Sequence, residues 1–208
     1  ILLIQISTIS EFVLASPVLR SIKKQMENVE LHFLTGYSMK EHHLFNPYIN
    51  NFIYWEEEFG VMIGKLKNEG YDYIIDLDRN YRSFFIKKAL KKKSLTVRSW
   101  RVEKFLLTNL NINIMPGIHF TKRCLNALAP LGIKDDGQGL DYYIPEKDSV
   151  KETELPHSHL GGFISFVIEA ANNTQKLPIH LLKEFCNRIE HPIILLGNKN
   201  EAATGDTI

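Results

Sequence analysis

Cysteine is nearly missing. Cys124 and Cys186 are the only two in 208 residues and lie far apart. They make neither a disulfide framework nor a zinc-ligand spacing, so a reducing cytosol is the default compartment. Long apolar runs are missing too. Residues 166–168 with their neighbours are among the longest, far below the roughly 20 residues that span a bilayer. The apolar opening, residues 1–4, follows no basic segment and precedes no small-residue cleavage site, so it reads as a strand rather than a secretion signal. The chain opens on Ile rather than Met, and a few preceding residues are expected. Charge of one sign is lacking as well. Lys and Arg total 25 against 24 Asp and Glu, a net +1. A global basic field for nucleic acid is therefore excluded, although a local patch is not. No Gly-x-Gly-x-x-Gly opens the first strand–helix turn, and no Gly-x-x-x-x-Gly-Lys-Ser/Thr occurs. Both absences disfavour a dinucleotide dehydrogenase and a P-loop NTPase. Without Gly-x-Ser-x-Gly, a nucleophile elbow is disfavoured too.

What remains is a globular composition, 44% hydrophobic, 24% charged and 11% aromatic, in 24.0 kDa. That length allows one large domain or one and a half. Residues 1–6 read as a buried strand, followed by a polar loop, 7–10. Phe12, Ala15, Leu19, Ile22 and Met26 then recur at spacings of three, four, three and four, one face of a helix. Pro17 interrupts that stripe. Either the helix kinks there, or a first turn precedes a helix capped by Ser16 with Pro17 at its first position. The alternation continues: strand 29–34 ended by Gly36, strand 51–55, helix 59–68 closed by Gly70, strand 73–77, helix 83–90, strand 95–98, and helices 102–110 and 120–131, the last stopped by Gly132. Strands alternating with helices predict an α/β domain with a mostly parallel sheet and a central first strand.

Residues 134–159 change character, rich in Asp, Gly and Pro, with one extended piece at 140–144. A fresh unit follows: strand 162–168, loop 169–178, helix 179–189, strand 192–196, then a polar stretch, 198–208. About 40 residues are too few to bury a core alone, so the rest of this second domain is expected beyond Ile208. The division is an N-terminal domain at 1–145, a linker at 146–160, and a partial C-terminal domain at 161–208.

Three groups of residues are candidates for chemistry. His42-His43 and His157-x-His159 are potential metal ligands, although no carboxylate or Cys spacing accompanies the second pair, and a solvated loop is the simpler reading. Lys87, Lys88, Lys91, Lys92, Lys93, Arg98, Arg101 and Lys104 surround Trp100. They read either as a solvated helix end that complements its dipole, or as a site for an anionic substrate or membrane surface. Nucleic acid is disfavoured because no aromatic stacking series accompanies them. Ser7-Thr8-Ile9-Ser10-Glu11 sits where the first strand meets the first helix, where open α/β sheets bind ligands. A carboxylate there interacts favourably with the helix dipole and suits a base, or merely caps the helix.

Taken together, these stretches resemble glycosyltransferase family 9, the ADP-heptose:lipopolysaccharide heptosyltransferases. The similarity is carried by ILLIQISTISEFVLASPVLRSIKKQ, with Ser7 to Glu11, Ser16-Pro17 and Leu19-Arg20 at the family's motif positions. It continues in Asp76-Leu77-Asp78-Arg79-Asn80-Tyr81-Arg82-Ser83, similar to D-L-x-x-N-x-R-S, then in Thr174-Gln175-Lys176-Leu177-Pro178 and Ile194-Leu195-Leu196-Gly197. The resemblance implies a GT-B architecture: two Rossmann-like domains, the N-terminal one with a parallel sheet and holding the acceptor, the C-terminal one only begun here and holding the nucleotide sugar. It implies inverting transfer of heptose or a related sugar from ADP-heptose to a bacterial lipopolysaccharide inner-core precursor, with no cofactor and no metal. Glu11 would be the catalytic base. Ser7, Thr8, Ser10, Asn80 and Arg82 would hold the acceptor, and Thr174, Gln175 and Lys176 the donor. The cationic segment 87–104 would meet the anionic inner-membrane surface from the cytoplasm, and no nucleic-acid partner is implied.

The sequence departs from the family pattern at several positions. Ser10-Glu11 stands for Gly-Asp, which sets the carboxylate one methylene further out, and 1 Å of misplacement can cost about 100-fold. Gln175 stands for a lysine, with Lys176 adjacent. Glu169 or Ala170 stands for a small glycine, and an acid there would repel a diphosphate. Two other readings follow: a family member without catalysis that binds glycan or a partner, and an unrelated α/β nucleotide-binding protein.

Overall fold

The computed structural model describes every residue except 7, 43, 44, 56, 57 and 171–175. It divides into two compact units, Ile1–Pro145 and Glu146–Ile208. The first holds five parallel strands, β1 (Leu2–Ile4), β2 (His32–Gly36), β3 (Asn51–Trp55), β4 (Tyr73–Asp76) and β5 (Lys93–Thr96), in the order β3-β2-β1-β4-β5. The central place of β1 explains its unbroken apolar run, since both its faces and both its edges are covered.

Side chains alternate across this sheet. Leu3, Phe33 and Ile75 pack against α1 (Ile9–Gln25) and α5 (Phe120–Asn126), while Leu2, Ile4, Leu34 and Ile74 pack against α2 (Phe59–Asn68) and α3 (Tyr81–Leu90). The stripe expected on α1 is the buried one: Phe12, Ala15, Leu19 and Ile22 lie in the core, with Met26 half-buried at its end. Helix α4 (Arg101–Leu110) buries none of its residues. Helix α5 is shorter than the sequence pattern suggests. Pro130 cannot donate to a helical ladder, so residues Ala129–Leu131 form a 3-10 turn, and Gly132, at φ 74°, ends it. Strand β2 begins at His32 rather than at 29, because its ladder starts where β1 begins: the His32 N–H donates to the Ile1 carbonyl at 3.0 Å.

Pro17 leaves α1 continuous. Its missing N–H would have served the Val13 carbonyl, and the Ser16 hydroxyl donates to that carbonyl instead, at 2.7 Å. The same hydroxyl accepts from the Asp141 N–H at 2.8 Å, so it also ties down the 140–144 segment. Arg20, one turn on, is almost fully buried. Its Nε and Nη2 donate to both carboxylate oxygens of Asp136 at 2.7 Å, Nη2 also donates to the Gly139 carbonyl at 2.9 Å, and Nη1 pairs with Asp141. The acid- and glycine-rich segment after Gly132 is thus clamped to α1.

The second unit begins at Glu146, so it includes the stretch expected as a linker, where residues Glu146–Asp148, Glu152–Glu154 and His157–His159 form single 3-10 turns with nothing buried. In the second unit, β6 (Ile164–Val167) pairs in parallel with β7 (Ile193–Leu196), and α6 (Ile179–Arg188) connects them. The polar stretch after Gly197, which shows no apolar period, nonetheless contains a 3-10 turn, Lys199–Glu201, and the short α7 (Ala202–Asp206). Gly197 permits this turn: a Cβ there would stand 3.1 Å from both Glu201 Cβ and Ile168 Cγ1.

Candidate functional site

The strand order reverses direction at β1 and β4, and open α/β sheets place ligands beyond the C-terminal ends of such a pair. Here those ends lead into the β1–α1 turn and the β4–α3 loop, the two stretches singled out from the sequence. They are joined directly. The Ile6 backbone N–H donates to Asp78 Oδ2 at 2.5 Å. Asn80 Nδ2 donates to the same oxygen at 3.1 Å.

Asn80 caps α3. Its Oδ1 accepts from the Ser83 N–H at 2.9 Å, and Ser83 Oγ accepts from the Asn80 N–H at 3.1 Å, a reciprocal box that satisfies two orphan donors of the helix. Beneath the loop lies Asp76, with no exposed surface. It accepts from Ser83 Oγ and the Arg79 N–H, each at 2.8 Å, and pairs with Lys87 Nζ at 2.5 Å. A buried carboxylate needs such partners, and with them it holds Arg79 at a left-handed φ of 49°. The β4–α3 loop is therefore rigidly built, with Asn80 committed to it on both amide atoms.

On the α1 side, Thr8 is the N-cap, its hydroxyl accepting from the Glu11 N–H at 3.4 Å. Thr8 and Ser10 are exposed, and Glu11 is half-exposed in the first helical turn. Two hydroxyls and a carboxylate at a helix start suit a polyhydroxylated ligand, with the carboxylate placed to accept a proton. Ser7 lies outside the described residues. Arg82 is exposed and leans toward β3. Its Nε donates to Tyr81 Oη at 3.1 Å, and its guanidinium sits 5.6 Å from the Trp55 ring centroid. Trp55, Phe59, Phe85 and Phe84 continue as a chain of ring contacts at 5.9, 6.3 and 5.6 Å, a half-open aromatic ledge.

In the second unit, Phe166, Ile168, Glu169, Lys176, Pro178 and Glu201 line a cavity of about 320 Å³. Lys176 Nζ pairs with Glu201 Oε1 at 2.5 Å, so its charge is already balanced from α7's side of the cavity. Glu169 accepts from Asn198 Nδ2 at 2.7 Å. Thr174 and Gln175 lie outside the described residues.

The basic segment is not uniform. Lys87 is a structural partner of Asp76, also donating to Thr96 Oγ1 at 2.8 Å, and Arg101 donates to the Arg79 carbonyl at 2.7 Å. Lys88, Lys91, Lys92 and Lys104 are exposed. No group of His, Cys, Asp or Glu among the described residues suits a metal ion; His43 and the His42 side chain lie outside them. No described helix is long and apolar enough to cross a membrane.

Asp76, Asp78 and Glu201 were not candidates from the sequence. For the two aspartates the available signal was their spacing before a capping Asn; for Glu201 there was none, because its partner lies 25 residues earlier.

No family model and no curated protein matches the chain. Solved structures do. A glycosyl transferase of family 9 from Veillonella parvula superposes with a TM-score of 0.70 at 14% identity, over 99% of this chain and 64% of that one. The E. coli heptosyltransferase WaaC with ADP-2-deoxy-2-fluoro heptose gives 0.67 at 14% identity, over 99% and 71%. E. coli ADP-heptose lps heptosyltransferase II gives 0.64 at 15% identity, over 99% and 66%. At these identities the likeness establishes the fold, a GT-B-like α/β architecture. The chain spans about two thirds of the length of these structures.

Proposed function

We propose that this chain is a family 9 glycosyltransferase that moves heptose or a related sugar from ADP-heptose to a lipopolysaccharide inner-core acceptor. The observation that carries the reading is the joining of the β1–α1 turn to the β4–α3 loop through Ile6 and Asp78. It presents Thr8, Ser10 and Glu11 at the switch point of a fold shared with heptosyltransferases. In the reaction, the Glu11 carboxylate takes the proton of the acceptor hydroxyl. That oxygen attacks the anomeric carbon from the face opposite the diphosphate, the bond to ADP breaks, and configuration inverts. The chain supplies this without cofactor or metal. Thr8, Ser10 and Ser7 orient the acceptor hydroxyls, and Asn80 acts by fixing the loop. Arg82 meets an anionic group of the acceptor over the aromatic ledge. Lys176 offsets charge on the departing diphosphate, and donor binding is assigned with it to Thr174 and Gln175. Exposed lysines of the 87–104 segment meet the anionic inner-membrane surface from the cytoplasm.

A second reading has its own support. Glu169 and Glu201 put two carboxylates on the cavity where Lys176 would meet a diphosphate, and one already neutralises that lysine. That arrangement favours a family member that binds glycan or a partner without turnover. ADP release from ADP-heptose in the presence of a Kdo–lipid A acceptor separates the two. Acceptor-dependent release supports transfer. No release, together with no ADP binding by calorimetry, leaves the binding protein.

A further inference from the structure

Helix α4 carries an apolar stripe that its own unit leaves open. Val102, Phe105 and Leu110 are 68%, 58% and 56% exposed, and none of the helix's residues is buried. The segment that follows adds Ile112, Ile114 and Ile118, all exposed. Apolar side chains this dense on a surface mark a contact rather than ordinary exposure.

Between α4 and residues 115–119 lies a cavity of about 760 Å³. Trp100, Leu107, Met115 and Ile118 give it apolar walls, and Arg101, Lys104, His119 and Arg123 surround them; no carboxylate is among its lining residues. Two buried donors at this cavity have no acceptor among the described residues: Trp100 Nε1, on a residue 8% exposed, and Arg123 Nε, whose guanidinium lies 4.8 Å from the Trp100 ring centroid. Unpaired buried donors of this kind call for an acceptor. Cationic and indole donors around an apolar cavity fit an amphiphile with an anionic head. A free phosphate ester would satisfy the donors but leave the stripe uncovered, whereas a bilayer lipid satisfies both.

We propose that α4 and residues 111–118 form a membrane-docking surface, set into the interface of an anionic phospholipid bilayer, with a lipid phosphate held at the Trp100–Arg123 cavity. The occupant is chosen by charge complementarity: seven exposed or half-exposed Lys and Arg between 88 and 104 attend the stripe, against the single acid Glu103. Arg101 ties the start of α4 to the Arg79 carbonyl, so docking brings the membrane beside the loop that carries Asp78 and Asn80. This deepens the membrane contact in the reading above and requires no sugar transfer.

The test is partitioning of the chain to vesicles of phosphatidylcholine alone and with phosphatidylglycerol, at low salt and at about 1 M salt, where the screening length is about 3 Å. Anionic vesicles are expected to bind, and part of that binding to persist at high salt because apolar burial is not screened. Phe105→Ser and Ile114→Ser, each at an exposed position, should each lower partitioning about 10-fold at both salts. Lys104→Gln should lower it about 5-fold at low salt only. Binding that vanishes at high salt and is unchanged in both serine variants would overturn the docking surface. So would a thermal shift with inorganic phosphate but no vesicle binding, which marks a site for soluble anions. Self-association abolished by Phe105→Ser, without vesicle binding, would assign the stripe to a second copy and also overturn it. ADP release lost with vesicle binding intact would instead count only against the transfer reaction.

Discussion

Asp136→Asn removes one charge from the clamp that joins α1 to the segment after Gly132 while keeping its shape. Arg20 is 1% exposed and hydrogen-bonds Asp136, Asp141 and the Gly139 carbonyl. Hydrogen bonds from Arg20 hold the Asp136 carboxyl at about 2, below its ordinary 3.8. That difference corresponds to roughly 2 kcal/mol. Breaking a buried pair by removing one partner typically costs about 3–5 kcal/mol, but Asp141 still balances Arg20 here, and the Asp136 side chain is 18% exposed to water. A loss of about 2 kcal/mol at pH 7 is therefore expected, lowering the urea midpoint by about 1 M. Its pH dependence has a definite sign. The unfolded carboxyl takes up its proton near 3.8 and the folded one near 2, so the contribution is whole above about pH 4 and is lost as pH falls through about 2. Urea unfolding of the native chain and of Asp136→Asn, between pH 7 and pH 2, reads both effects. Equal midpoints at pH 7, or a gap that persists undiminished toward pH 2, would refute the clamp.

Ser16→Ala should cost about 2 kcal/mol in thermal unfolding, because it strips the Val13 carbonyl of its donor and the Asp141 N–H of its acceptor. Adding Pro17→Ala restores a backbone donor to Val13, so the double variant should recover part of that loss; strictly additive losses would show that the serine does not stand in for the missing N–H. Burial pushes the Cys124 thiol up to about 12, while Cys186 is only half-buried. At pH 8, thiol reagents should modify one cysteine per native chain and the second only after denaturation; rapid modification of both would contradict the packing around Cys124.

The elements were legible where apolar period and chain punctuation agreed. Strand β3 and helix α2 fall at the positions read from the sequence, since an aromatic-rich run leads into a helical pattern that Gly70 ends. Pro17 was not decidable, because the hydroxyl that rescues the Val13 carbonyl is a matter of rotamer, not of pattern. Helix α7 has no apolar stripe and rests on a close approach at Gly197. The candidate site shows the same limit. The β1–α1 turn and β4–α3 loop could be singled out as stretches, but the bond that joins them spans 72 residues. Arg20 reads as one basic residue on a helix until its partners arrive 116 to 121 residues later. Asn80, expected at the acceptor, also caps α3 and donates to Asp78, partners that its place in the motif did not reveal.

The central claim is that Glu11, in the first turn of α1, removes the acceptor proton during glycosyl transfer. Its most direct test is kcat for ADP release from ADP-heptose by the native protein, Glu11→Gln and Glu11→Asp, with ADP affinity measured in parallel. General base catalysis contributes about 10²–10⁴-fold, so Glu11→Gln should lose that much in kcat with ADP affinity nearly unchanged, and Glu11→Asp should keep or exceed native activity. Native turnover that survives Glu11→Gln within a few-fold would contradict the assignment.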